Sequence, residues 1–146
     1  MLDDLGSDVA LREPPRRVVS LVPSLTEAIA VTVPGVLVGA TDWCTHPAGL
    51  DVTRVRGTKN PNRDLIAALH PDLVVANQEE NRRLDVDRLR AAGIPVWVTR
   101  IDSIAEALDS LDRLFREAFG LRETDWIDKA REVWNRPPRL TGRGAL

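Results

Sequence analysis

Short apolar, β-branched runs alternate along this chain with longer segments whose apolar side chains recur at helical spacing. RRVVSLVPS is the first such run, a buried strand stopped by Pro23. VLVGAT, LVVAN and IPVWVTR follow, with a brief further strand at TRVRG. Between them, SLTEAIAV reads as a helix with Ser24 as N-cap and Glu27 completing a capping box. NRDLIAALH, opened by Pro61 or Asn62, places Leu65, Ile66 and Leu69 on one face. LDVDRLRAAG is amphipathic, with Leu84, Val86 and Leu89 facing inward and Gly93 ending it. SIAEALDSLDRLFREAFG is the strongest helix, with Ile104, Leu108, Leu111, Leu114 and Phe115 at helical spacing. A last helix, from Glu123 to about Asn135, carries Trp126, Ala130, Val133 and Trp134 on one face.

Strand and helix in alternation predict an α/β domain, a three-layer α/β/α sandwich on a mostly parallel central sheet. LVVAN, apolar on both faces, suits a central strand, and Trp97 in IPVWVTR belongs to the core. Ligands of such sheets bind outside the carboxyl ends of the strands. The loops leaving those ends are PSLTE, TDWCTHP, GTKNPN, NQEENR and TRIDS. Residues 1–15 read as a loose N-terminal arm ending in Pro14-Pro15.

Composition narrows the function more than the fold. The 146 residues make one domain, able to bury roughly two thirds of its unfolded surface. A formal net charge of −2, with no basic stripe, excludes a nucleic-acid partner. No apolar run approaches the roughly 18 residues of a spanning helix, so the chain is not membrane-spanning. The start, MLDDLGSDVALREPPRR, is acidic and lacks an apolar stretch, so it is no secretory signal. As written the chain stays in the cytoplasm; with a missing leader it is extracytoplasmic.

The segment ATDWCTHPAG holds the single cysteine, Cys44, with His46 two residues on and Asp42 on its other side. Zinc needs three or four convergent ligands, and the other histidine, His70, sits at a helix end before Pro71. A cysteine nucleophile needs a positioned base and a group orienting it, and no such signature surrounds Cys44. The plainest reading makes Cys44 a small buried hydrophobe. No metal site, catalytic residue or resident cofactor is therefore expected, and the chain is not read as an enzyme. A small enzyme or metal-binding protein using Cys44 and His46 is the rival.

Three pieces in order, RRVVSLVPSLTEAI, GTKNPNRDLIAALHPDLVVANQEEN and LRAAGIPVWVTRIDSIAEALDSL, resemble the substrate-binding proteins of cobalamin and ferric-siderophore ABC importers, the helical-backbone metal receptors. The resemblance covers about residues 16–120. It implies two α/β lobes joined by a long helix, with ligand held non-covalently in the cleft between them. On this reading residues 16–121 are the N-terminal lobe, 122–137 the start of the inter-lobe helix and 138–146 a disordered tail. The second lobe is absent, so the expected protein is one lobe of a two-lobed receptor, a truncated form or a remnant that binds little.

The implied ligand is a metal-containing organic molecule, cobalamin ahead of a ferric siderophore, and the implied partner is an ABC permease. Trp43 offers a flat face for stacking on a planar ligand, or else packs its loop onto the core. The candidate polar contacts are Ser24, Lys59, Asn60, Asn77, Gln78 and Glu79, with Asn77 foremost. Glu79 and Glu80 equally suit the start of the next helix. Receptors of this kind dock on the permease through exposed acids, yet Arg83 stands where an acid is expected, with Glu79, Glu80 and Asp85 close by. The apolar face of the last helix, left uncovered without a second lobe, predicts weak self-association.

Overall fold

In the computed structural model, residues 1–42 and 49–134 are described. Trp43, Cys44, His46 and the tail from 135 onward lie outside the described residues. Five strands form one sheet: β1 (Val18–Ser20), β2 (Leu37–Ala40), β3 (Thr53–Arg54), β4 (Leu73–Asn77) and β5 (Val96–Thr99). Their order is β3-β2-β1-β4-β5 and every pairing is parallel. The helices are α1 (Pro23–Thr32), α2 (Arg63–Ala68), α3 (Arg83–Ala91), α4 (Ile104–Arg113) and α5 (Asp125–Trp134), with a π-helical turn over Leu114–Ala118 extending α4.

Alternation along the strands sends side chains to two separate cores. Val18, Leu73, Val75 and Trp97 point to the layer of α1, α4 and α5, where they meet Ile29, Leu108, Phe115 and Ile127. Val19, Val74, Ala76 and Val98 point the other way, onto Ile66 of α2 and Val86 and Leu89 of α3. The result is the α/β/α sandwich, one lobe in extent. Gly39 lets β2 and α2 approach: a Cβ there would lie 2.9 Å from Leu69 Cδ1 and 3.1 Å from Val19 Cγ2.

The structure corrects four local expectations. Ser24 does not cap α1: Val22 holds that position and Pro23, which needs no amide partner and has a helix-compatible φ, opens the helix two residues earlier. Leu84 is 50% exposed while Asp85 is buried. Leu84 and Val86 stand roughly 200° apart around a helix, so they cannot share its inner face. Ile104, at the first turn of α4, is likewise exposed. On α5, whose apolar face is expected to be uncovered, Val133 and Trp134 are indeed exposed. Trp126 instead turns back on the lobe, donating Nε1–H to Thr32 Oγ1 at 2.7 Å and lying edge-on to Phe115.

The N-terminal arm is not loose. Its first residues double back through a bridge between Leu2 and Asp8 and lie along β5, where the Asp4 amide donates to the Val98 carbonyl at 3.2 Å. Asp3 fixes the contact. Its fully buried carboxylate accepts from the Val98 amide (3.1 Å), Arg90 Nη2 (2.9 Å) and the amides of Leu5 and Ser7. Asp4 accepts from Arg113 Nη1, whose guanidinium also lies 5.7 Å from the Trp97 ring centroid. The free edge of β5 is thereby covered, as an exposed parallel edge must be.

Candidate functional site

β1 feeds α1 and then β2 on one side, whereas β4 feeds α3 and then β5 on the other. The chain therefore leaves the carboxyl ends of the adjacent strands β1 and β4 in opposite directions. A crevice opens at such a switch point, where sheets of this kind bind ligands. The segments that meet there are Leu21 and Val22 after β1, residues 56–62 after β3 and residues 78–82 after β4.

Asn81 ties these three segments together. It is 4% exposed. Its Nδ2 donates to the Leu21 carbonyl and to the Thr58 carbonyl, each at 3.1 Å, and its Oδ1 accepts the Asn77 amide at 2.8 Å. Both amide hydrogens and the side-chain oxygen are thus engaged, which is what a buried amide requires. A second, exposed tie joins the same loops: Lys59 Nζ donates to the Glu79 carbonyl at 2.7 Å. The NQEENR loop is expected at the site from the sequence, but Asn81 within it is not. The available signal was its spacing of four from Asn77, which lets one asparagine close the turn begun by the other.

The candidate residues divide by what their side chains already do. Asn77 sits at the end of β4, where Oδ1 accepts the amides of Glu79 (2.9 Å) and Glu80 (3.3 Å) and Nδ2 donates to Thr99 Oγ1 (3.1 Å). Its amide builds the turn after the strand. Asn60 Oδ1 accepts the Gly57 amide at 3.2 Å and so shapes its own loop. Gln78 and Glu79 are exposed beside them. Gln78, Asn77 and Asn81 line a polar hollow of about 210 Å³ shared with Ser7, Arg83 and Arg90. Ser24 is exposed and lines a different, apolar groove of about 400 Å³ with Ala28, Val31, Leu111 and Trp126. Lys59, Asn60, Asn77, Gln78 and Glu79 are therefore brought to one edge, and Ser24 opens onto another hollow.

Charge around the edge is mostly paired. Asp85, 1% exposed, accepts from Arg82 Nε at 3.0 Å and lies 3.8 Å from Arg63 Nε. The hydrogen bond to Asp85, then its charge, hold the Arg82 guanidinium above its ordinary value, with desolvation acting against them. Arg83 points to solvent and reaches Asp87 at 3.6 Å. Glu79, Glu80 and Asp87 are exposed acids of the group, whereas Asp85 is enclosed among its arginines. Among the described residues no cluster of three or more His, Cys, Asp or Glu could hold a metal, and no helix is long and apolar enough to cross a membrane. What the edge offers is an open, polar surface of backbone-anchored loops.

No protein-family model matches the chain. Among curated proteins, the vitamin B12-binding protein of Yersinia pestis (strain Pestoides F) is 37% identical over 100 residues, covering 65% of this chain and 36% of that protein. Among solved structures, the periplasmic vitamin B12 binding protein BtuF of Vibrio cholerae superposes with a TM-score of 0.69 at 25% identity, over 83% of this chain and 47% of BtuF. The heme binding protein HmuT gives a TM-score of 0.72 at 26% identity, over 90% of this chain and 43% of HmuT. The chain spans about a third of the length of the curated relatives it matches, 36% for the one from Yersinia pestis.

Proposed function

This chain is a relative of the cobalamin and metal-complex substrate-binding proteins, the helical-backbone metal receptors, and on that premise we propose that it binds a metal-containing organic ligand without transforming it. Cobalamin is the preferred ligand and a ferric siderophore the next. The observation that carries the reading is the 37% identity to a protein named for vitamin B12 binding, over 100 residues. The geometry supports it. The loops at the β1/β4 switch point are pinned by hydrogen bonds and face outward, forming one wall on which a broad, rigid ligand can lie. A wide contact with few converging charges suits a corrin better than a highly anionic catecholate complex.

In this reading Gln78, Glu79 and Lys59 meet the ligand, Asn60 and Asn77 hold their loops, and Ser24 touches it only at the margin. Trp43, which follows β2 in the sequence, stacks on the planar face. The protein works outside the cytoplasm with an ABC permease. Docking runs through the exposed Glu79 and Glu80, because Asp85 is enclosed, Asp87 is paired with Arg83 and Arg83 carries the opposite charge.

Quenching of the four tryptophans on titration with cyanocobalamin, haem and a ferric siderophore tests the proposal directly. Saturable quenching by cyanocobalamin, with weaker or no response to the others, is the expected result. A preference for haem would move the chain toward ligands such as that of HmuT, and no binding of any of the three would sink the reading. Trp43→Ala is expected to weaken cobalamin binding by on the order of 1–3 kcal/mol, with little change in melting temperature. A large loss of stability with unaltered affinity would instead place Trp43 in the packing of its loop.

A further inference from the structure

The polar groups that come together at the carboxyl edge converge on one side chain that makes no use of solvent. Asn81 bonds three backbone segments widely separated in sequence: Leu21 after β1, Thr58 after β3 and Asn77 at the end of β4. We infer that Asn81 is a positioning residue, whose carboxamide sets the relative placement of the three loops and thereby fixes the ligand-facing surface before any ligand arrives. The inference rests on the proposed function for what the loops are for, and on the hydrogen bonds alone for how they are held.

The chemistry allows few substitutes. The position needs two donors aimed at carbonyls and one acceptor aimed at an amide, all from one buried planar group. A carboxylate of the same shape keeps the acceptor and sets negative charge against two carbonyl oxygens. Alanine loses all three bonds and leaves buried backbone groups without partners, which costs more than the bonds themselves return. Lys59 bridges the same two loops from the exposed side and cannot compensate, since it reaches Glu79 and neither Leu21 nor the Thr58 carbonyl. Loops that must be reordered on binding lower affinity by the work of reordering them.

The test compares the full chain with Asn81→Asp and Asn81→Ala, and with Asn62→Ala, which removes the cap of α2 and touches none of the three ties. Hydrogen exchange is read at the amides of Val22, Gly57 and Glu79 in the loops, at Asn77, and at Asp128 in α5 as an internal reference. Cyanocobalamin affinity is read by calorimetry. Both Asn81 variants are expected to speed exchange at Val22, Gly57 and Glu79 by about tenfold and to leave Asp128 unchanged, with cobalamin affinity lower by about tenfold or more. The Asn77 amide should stay protected in Asn81→Asp, which retains its acceptor, and lose protection in Asn81→Ala. Uniform destabilisation cannot produce that split. Asn62→Ala should do none of this.

Unchanged exchange in the loops, or an equal rise at Asp128, overturns the inference. So does unchanged affinity in variants whose loops have loosened. If the unmodified chain fails to bind cobalamin while the exchange pattern appears as described, positioning by Asn81 stands and the proposed ligand is what fails. Should the buried carboxylate of Asn81→Asp prevent folding, Asn81→Ala alone carries the comparison.

Discussion

Two buried polar side chains organise opposite parts of this lobe. Asp3 holds the N-terminal arm on the free edge of β5, and Asn81 holds the loops at the carboxyl ends of β1, β3 and β4. Both bond to backbone far away in sequence, and both are nearly inaccessible to solvent. They differ in charge and in what surrounds them. Asp3 is a carboxylate neutralised by Arg90 and closes an edge of the sheet, so its task is architectural. Asn81 is neutral, needs no counter-ion, and sits where the chain diverges to open a crevice. A charged node suits a place that must stay shut, and a neutral one leaves the local field to whatever the crevice holds.

The sharpest way to break that comparison is to remove Asp3. Asp3→Ala strands Arg90, uncouples the arm and uncovers β5, so it should cost about 2–4 kcal/mol of stability. Urea denaturation checks the figure. Cobalamin affinity, corrected for the folded fraction, should not change. A parallel loss of affinity would mean that the arm and the crevice are one unit.

Asn81→Ala comes next, with an expected cost of about 1–3 kcal/mol. Here the affinity loss should exceed anything the folded fraction explains. If the two variants behaved alike in both measurements, the division between architecture and site would collapse. Asn62→Ala, which deletes the acceptor for the Leu65 amide, should cost about 1 kcal/mol and leave affinity intact.

Neither node was legible in the sequence, and the reason is physical. Hydrophobic period reports which residues face a core, and it gave the order of strands and helices, the sheet and the two apolar faces. It reads every Asp and Asn as solvated. Asp3 lies in a stretch whose pattern reads as a loose arm, and Asn81 in a loop where Asn77, directly after LVVA, is the more conspicuous amide. Their partners are backbone groups 60 and 95 residues away, which no local pattern encodes. The period also fails at helix ends, as Leu84 and Ile104 show: an apolar residue in the first turn fits the repeat or its neighbourhood without having anything to pack against. The crevice was found from topology, since strands of alternating α/β units bind at their carboxyl ends whatever their sequence. What each side chain does there was not, because an amide that builds a turn and one that meets a ligand look identical in a string of letters.

The smallest effect belongs to Lys59, and it separates holding a loop from touching a ligand. Its ammonium bonds the Glu79 carbonyl at 2.7 Å in full solvent, a contact that contributes little because water offers the same partners. Lys59→Met keeps the stem and removes the charge, so stability should move by no more than about 0.5 kcal/mol. Affinity then discriminates. If Lys59 acts only as a brace, Asn81 still fixes the loops and binding should fall slightly, with no dependence on ionic strength. If the ammonium leaves Glu79 to meet an anionic group of the ligand, the loss should be larger at low salt and fade as salt is raised. Titrations of the parent chain and Lys59→Met at two ionic strengths decide between them. The second outcome is expected, because Asn81 already holds the Thr58 carbonyl one residue away and leaves the lysine free to exchange one oxygen for another.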